Sequence, residues 1–274
     1  MIIRKYFAAG GSIRFIRYYL LMEIDVWSVL RRIWPFIPHS AGSGEQLWEL
    51  TVQGFEQLPA ALVRLIDDKI EPIAIDDWDY PREDAARLKE CLDANGSDKA
   101  TGNEYYKFYS SVLNDRTEAV FEIGLGTNNT DVASNMGAGG KPGASLRGFR
   151  DYLPNARIYG ADVDERILFE EERIETRHVD QMDYPSLTAL KKWLPPLDLF
   201  IDDGLHSLAA NLNSLDVGLN MTKPGGWVVI EDITESTTSL WQVIGKLLPE
   251  HECYILRAGP HGRMFVCRVA GNSK

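Results

Sequence analysis

Two short stretches gather the residues best suited to chemistry. "DLFIDDGLHS" puts Asp202, Asp203 and His206 at the end of an apolar run, and "WVVIEDI" puts Glu231 and Asp232 at the end of another. An apolar run that finishes on paired acids reads as a buried strand with carboxylates at its tip. Neighbouring parallel strands lie about 4.8 Å apart, so two such tips can bring the acids together. Several carboxylates that close repel one another unless a cation sits among them. Oxygen donors suit magnesium, which keeps waters that a substrate oxygen can displace. The expected ligands are Asp203, Glu231 and Asp232. His206 is expected in the first turn of the next helix, facing the same side as Asp203. A hydroxyl next to a bound divalent ion is more acidic, and an imidazole beside it can take the proton. Taken alone, Asp202 and Asp203 fit a helix cap equally well, with His206 an ordinary polar residue. The second acid pair downstream favours the metal reading.

Earlier strand ends carry a different set. "FEIGLGTNN" places Glu122, Gly124 and Gly126 after the first strand, where glycines let a backbone approach a ligand closely. "YGADVDE" ends the second strand with Asp162, positioned to accept hydrogen bonds from ribose hydroxyls, while Asp164 can cap the next helix. "HVDQMD" ends the third with Asp180 and Gln181, facing an adenine edge. Glycines, an acid and an Asp-Gln pair at successive strand ends predict an S-adenosylmethionine (SAM) site built from Glu122, Gly124, Gly126, Asp162, Asp180, Gln181 and Asp202. A nicotinamide-binding oxidoreductase is the alternative. Against it stands the long loop "TDVASNMGAGGKPGASLRGF", which delays the helix that a pyrophosphate site needs close by. In "SDKATGNEYYKFY", Asp98 and Lys99 could close over the amino-acid end of the cofactor, with Tyr105 or Tyr106 lining the pocket. A capped helix with an aromatic core face fits the same residues equally well. Arg147 is expected in a surface ion pair.

The elements that must hold these residues follow from the rhythm of the chain. From about residue 96, short β-rich runs alternate with amphipathic helices, which implies a parallel sheet covered on both faces. "CYILRAG" and "GRMFVCRVA" close as a hairpin. The expected fold is α/β: a Rossmann-like class I methyltransferase, with a mostly parallel seven-stranded sheet and a terminal antiparallel hairpin. Residues 1–95 read as a separate N-terminal helical region, with "YPREDAARLKECLDANG" as its last helix and Gly96 as the stop.

Composition bounds the rest. The 274 residues suit one large domain with an appendage. A net charge of −11 argues against a general nucleic-acid binder. Three scattered cysteines give no disulfide framework, no apolar run is long enough to span a membrane, and no signal peptide is legible, so the expected location is cytoplasmic. Residues 1–40 hold six basic side chains against two acidic ones, mixed with aromatics. Such an arm can lie on an anionic membrane or pack on the main domain or a partner subunit, and packing is the commoner use. A non-catalytic, membrane-associated protein keeping the fold is the third functional reading.

In order along residues 96–235, "SDKATGNEYY", "FEIGLG", "GASLRGFRDYLPNARIYGADVD", "VDQMD", "FIDDGLH" and "KPGGWVVIEDI" resemble the metal-dependent sugar O-methyltransferases of macrolide biosynthesis, of the mycinamicin and macrocin type. The resemblance implies SAM as methyl donor, Mg2+ held by Asp203, Glu231 and Asp232, and His206 as base. It also implies a SAM site that includes Gly124, Asp162 and Asp180. The implied acceptor is a sugar hydroxyl on a glycosylated natural product or a surface glycan, and the expected assembly is a homo-oligomer. Glu104 stands where that family often has histidine, and residues 1–95 carry no part of the likeness.

Overall fold

The computed structural model describes residues 57–259 and 262–271. The basic aromatic arm and the helices expected before residue 57 lie outside the described residues. Among the described residues, nine strands form one sheet: β1 (Ile73–Ala74), β2 (Ala119–Ile123), β3 (Arg157–Asp162), β4 (Glu170–Glu171), β5 (Ile174–His178), β6 (Leu197–Asp202), β7 (Thr222–Ile230), β8 (Glu252–Ala258) and β9 (Gly262–Arg268). Their spatial order is β1-β8-β9-β7-β6-β2-β3-β5-β4. Pairings from β5 through β3, β2 and β6 to β7 are all parallel. The β8–β9 hairpin enters antiparallel beside β7. This is the predicted class I methyltransferase sheet of seven strands, with two additions that the sequence did not disclose. β1 and β4 are two-residue edge strands, too short to leave a periodic signal.

Central strands are covered on both faces. Every residue of β2 is buried, which is why it reads as a nearly continuous apolar run. Its side chains alternate between two cores: Val120 joins Leu88, Leu92, Phe108 and Phe149, whereas Phe121 and Ile123 join Phe200, Leu215 and Trp241. The first core is closed by α1 (Arg82–Asn95), α2 (Asp98–Thr101), α3 (Tyr106–Val112) and α4 (Ala144–Tyr152). The second is closed by α5 (Tyr184–Ala189), α6 (Leu208–Met221) and α7 (Thr238–Leu247). Trp78, Phe108, Trp227 and Tyr254 meet edge to face or tilted, with centroids 5.2–6.4 Å apart.

α1 ends as expected at Gly96, whose φ of +81° lets Ser97 N–H reach back to the Leu92 carbonyl at 3.0 Å. It does not belong to a separate region, however. Leu88 and Leu92 are fully buried in the first core, and β1 joins the sheet, so residues 73–95 are part of the same packed body as the sheet. The expected boundary at residue 95 follows a change of rhythm, but apolar burial runs across it. Among the described residues no helix is long and apolar enough to cross a membrane.

Two features of this topology prepare a site. Chain order reverses at β2, which pairs with β3 on one side and β6 on the other, and ligands of such sheets bind beyond the strand ends at that reversal. At that place the backbones touch. Gly124, at φ +92°, would carry a Cβ only 2.0 Å from the Asp203 carbonyl oxygen. The glycine therefore lets the tip of β2 lie against the segment that carries Asp203.

Candidate active site

Asp203 follows β6, Glu231 and Asp232 follow β7, and His206 lies in the short connection from β6 to α6. Asp203, His206 and Asp232 each offer a ligand atom, all within 4.8 Å of one another. His206 Nε2 stands 4.0 Å from Asp203 Oδ1 and 4.0 Å from Asp232 Oδ2. These gaps are too long for hydrogen bonds and leave the three groups facing a common point. The imidazole does not ride on the helix as predicted. α6 starts at Leu208, capped by Ser207 Oγ accepting from Ala210 N–H, and His206 precedes the cap at φ +55°. Asp232 has the same left-handed backbone, φ +51°. Two non-glycine residues held in this costly region, both in one cluster, are the kind of strain that functional sites retain.

Glu231, the third expected ligand, faces the interior. It is 2% exposed and turned inward. Its Oε2 accepts from Lys99 Nζ at 2.7 Å, and its Oε1 accepts from the Tyr109 hydroxyl. The predicted trio therefore splits, with Asp203 and Asp232 facing His206 while Glu231 anchors a buried lysine. Successive side chains at a strand end leave opposite faces, so adjacent acids need not meet one point.

Lys99 follows the second of its two expected readings, a capped helix beside an aromatic core face. It is 1% exposed, with Nζ 2.5 Å from Asp203 Oδ2, 2.7 Å from Glu231 Oε2 and 3.2 Å from Glu122 Oε1. Ser97 delivers it by capping the one-turn helix α2. Burial alone would lower the Lys99 ammonium, but Asp203, Glu122 and Glu231 hold it well above its usual range. Glu122, expected in the cofactor site, is interior, with Oε2 accepting from Ser145 at 2.6 Å. Asp232 accepts from Tyr105 at 2.7 Å and from Asn103 at 3.3 Å. The sequence singles out Lys99 but not these carboxylate partners, which lie far from it in the chain.

Burial pushes the Asp203 carboxyl up to about 8, against the pull of Lys99, with Glu122, Asp232 and Asp98 adding to the rise. The cause is a surplus of negative charge in a poorly solvated place, and a divalent cation at Asp203 and Asp232 would relieve it. Carboxylate oxygens beside an imidazole suit a hard divalent ion such as Mg2+. The donor set fits.

The remaining predicted residues have structural partners. Asp202 is fully buried and accepts from Gln181 Nε2 at 2.7 Å, Asn211 Nδ2 at 3.0 Å and Gly204 N at 3.1 Å. Gln181 Oε1 accepts from Leu205 N–H at 2.8 Å. This pair fixes the path from β6 to His206; it presents no free edge to an adenine. Asp162 accepts the Leu125 and Asp164 N–H groups at 2.7 and 2.8 Å, holding the loop after β2 against the end of β3. Each of its oxygens keeps a lone pair, so a ribose hydroxyl can still be met. Asp180 is half-buried at the end of β5, with Oδ1 accepting from Met182 N–H. Val163 and Met182, which the sequence did not flag, are 48% and 52% exposed just beyond β3 and β5 and offer apolar surface to a flat ring. Gly126, at φ +73°, turns the loop after β2. Glu104, in the histidine position of the resembled family, pairs with Lys107 at 3.0 Å. Arg147 makes the expected ion pair, to Glu171 at 2.7 Å.

Replacing Gln181 with alanine should remove one of the three donors to Asp202 and strand the Leu205 N–H, at a cost of about 1–3 kcal/mol, the usual scale for a lost buried hydrogen-bond partner. Urea unfolding checks this, and an unchanged midpoint would show that the network is dispensable.

No family model matches the chain. Over 150 residues it is 32% identical to the 8-demethyl-8-alpha-L-rhamnosyl tetracenomycin-C 2'-O-methyltransferase of Streptomyces olivaceus, covering 54% of this chain and 37% of that protein. Over 111 residues it is 34% identical to the mycinamicin VI 2''-O-methyltransferase of Micromonospora griseorubida, covering 40% and 27%. The matched region is thus only about a third of these relatives' length. Among solved structures, the MycE methyltransferase of the mycinamycin pathway, in complex with Mg, SAH and mycinamycin VI, superposes with a TM-score of 0.54. Identity is 21%, covering 69% of this chain and 56% of that one. That likeness shows the fold to be the class I methyltransferase fold.

Proposed function

We propose, from its kinship with sugar O-methyltransferases, that this chain is a SAM-dependent, Mg2+-dependent O-methyltransferase acting on a sugar hydroxyl of a glycosylated natural product or surface glycan. The observation that carries the reading is the convergence of Asp203, His206 and Asp232 at the topological reversal of a methyltransferase sheet. Its curated relatives transfer methyl groups to sugar oxygens, and the related MycE structure holds Mg and SAH.

Asp203 and Asp232 would hold the metal, and Asp162, Asp180 and the glycine turn at Gly124 and Gly126 would hold the donor, between the apolar surfaces of Val163 and Met182. When bound, the metal makes the acceptor hydroxyl more acidic and the sulfonium supplies an electrophilic methyl. Within the protein, His206 receives the hydroxyl proton at Nε2, and the two carboxylates 4.0 Å away stabilise the resulting imidazolium. Tyr105 and Asn103 fix the Asp232 carboxylate, and Lys99 fixes Asp203.

Separate titrations with SAM and NADH test the cofactor. Binding of SAM alone supports the reading, and binding of NADH alone overturns it. Asp203→Asn and Asp232→Asn should each weaken Mg2+ binding at least about tenfold, or about 1.4 kcal/mol. Calorimetry showing wild-type affinity in both variants would remove the metal assignment. Incubation with isotopically labelled SAM and extracts of the producing cell identifies the acceptor. We place the protein in the cytoplasm, with self-association and peripheral membrane contact through residues 1–40 as open parts of the same proposal.

A further inference from the structure

We propose that Cys253 and Cys267 are a reversible disulfide site, a covalent latch that a low-molecular-weight disulfide closes across the terminal hairpin. The latch lies outside the methyl-transfer site and does not depend on the reading given to it. Fourteen positions separate the two cysteines, so their spacing in the chain discloses no bridge. The hairpin sets them opposite each other: Cys253 on β8 is the register partner of Cys267 on β9. Their sulfur atoms lie 3.4 Å apart. The type of pairing also suits a bridge. Each residue of an antiparallel strand turns its peptide N–H and C=O to one neighbouring strand, and the next residue turns them to the other. Val269 N–H donates to the Gly226 carbonyl, and the Arg263 carbonyl accepts from Ile233 N–H, both on the β7 side of β9. Cys267, two residues from Val269 and four from Arg263, turns the same way. Toward β8 it therefore meets Cys253 as a non-hydrogen-bonded pair. Such pairs hold their Cα atoms about 4.5 Å apart, inside the range of about 4.4–6.8 Å that a disulfide spans.

The position of the pair says what the latch does. β9 lies between β7 and β8, bonded on both sides. β8 has less support, because β1 pairs only with its Leu256 and Arg257. Among the described residues no strand borders β8 beside Cys253, and a strand end held on one side opens more readily. A bond to Cys267 fastens that end to the buried strand. The two thiols also divide the chemistry between them. Cys267 is fully buried, while Cys253 is partly exposed. The neighbouring Cys253 thiol and burial both push the Cys267 thiol up, which leaves Cys253 to attack first. With glutathione disulfide as oxidant, the Cys253 thiolate attacks one sulfur, forms a mixed disulfide and releases one glutathione thiolate. Cys267 then gives up its proton and attacks the Cys253 sulfur, expelling the second glutathione. Two protein thiols are oxidised, one glutathione disulfide is reduced, and the two protons pass to the two glutathiones released. Under a reducing poise the pair rests as thiols and closes when the poise shifts, which is how intracellular disulfides are commonly used.

The test incubates the full chain with glutathione disulfide in the absence of denaturant, followed by intact-mass measurement and peptide mapping. The monomer should lose two hydrogen atoms, with Cys253 and Cys267 joined and Cys91 still a free thiol, and dithiothreitol should reverse the change. The closed form should unfold about 5 °C or more above the reduced one, the scale for closing a loop of this length. Cys91→Ser should keep both effects, and Cys253→Ser should lose both. Peptide mapping of the wild type decides the matter even if the serine variant does not fold. A stable glutathione adduct on Cys253, a link through Cys91, or a link between two chains overturns the inference. So does an intact Cys253–Cys267 bond that leaves the unfolding midpoint unchanged, because the hairpin end would then need no fastening. Each result is read without SAM or metal, so it stands apart from any failure of the methyltransferase reading.

Discussion

Replacing His206 with alanine is expected to leave SAM affinity within about twofold of wild type and to lower turnover about 10²-fold or more, the scale of a lost general base. The imidazole Nε2 faces both Asp203 and Asp232 and can accept a proton there, while neither carboxylate is within hydrogen-bond reach of it. His206 lies outside the capped helix, so removing its side chain leaves the Ser207 cap in place. Backbone strain complicates the alanine variant, since the residue sits at φ +55°. His206→Asn separates the two effects, because asparagine tolerates left-handed backbone but is no base. Both variants should lose turnover alike in a single-turnover assay with labelled SAM. Recovery of activity by asparagine would assign His206 a purely conformational role.

The second large effect is on stability. Gly124→Ala should cost about 3 kcal/mol or more, combining overpacking with backbone strain. The added Cβ would stand 2.0 Å from the Asp203 oxygen, 2.4 Å from its carbonyl carbon and 2.6 Å from Gly204 Cα. All three are backbone atoms, so no side chain can yield, and the tips of β2 and β6 must separate. Asp203 would move with its backbone, so Mn2+ affinity should fall along with the unfolding midpoint. Gly126→Ala is the control: its nearest neighbour is the flexible side chain of Met136 at 3.1 Å, and only the strain of φ +73° remains, about 1 kcal/mol. Equal midpoints for the two variants would refute the close-approach argument.

The strands and helices around the site were legible because each obeys a local rule. β2, β3 and β6 are buried apolar runs, α1 stops at a left-handed glycine, and "DDGLH" and "IED" lie at strand ends. What sequence could not sort was the use of each acid. An aspartate after a strand can hold a ligand or hold the loops around it, and spacing is identical for both. Asp202 took the second use through Asn211 and Gln181, and Glu231 was drawn inward by Lys99, 132 positions away in the chain. Partnerships at that separation are set by tertiary packing. The same holds for the edge strands, where two residues of pairing leave no pattern to read.

One of those edges limits how copies of this protein can associate. β4 is Glu170–Glu171, both exposed, and Glu171 is already committed to Arg147 and Arg150. A border so short and so acidic is a poor template for another chain's backbone, which guards the sheet against open-ended growth into fibres.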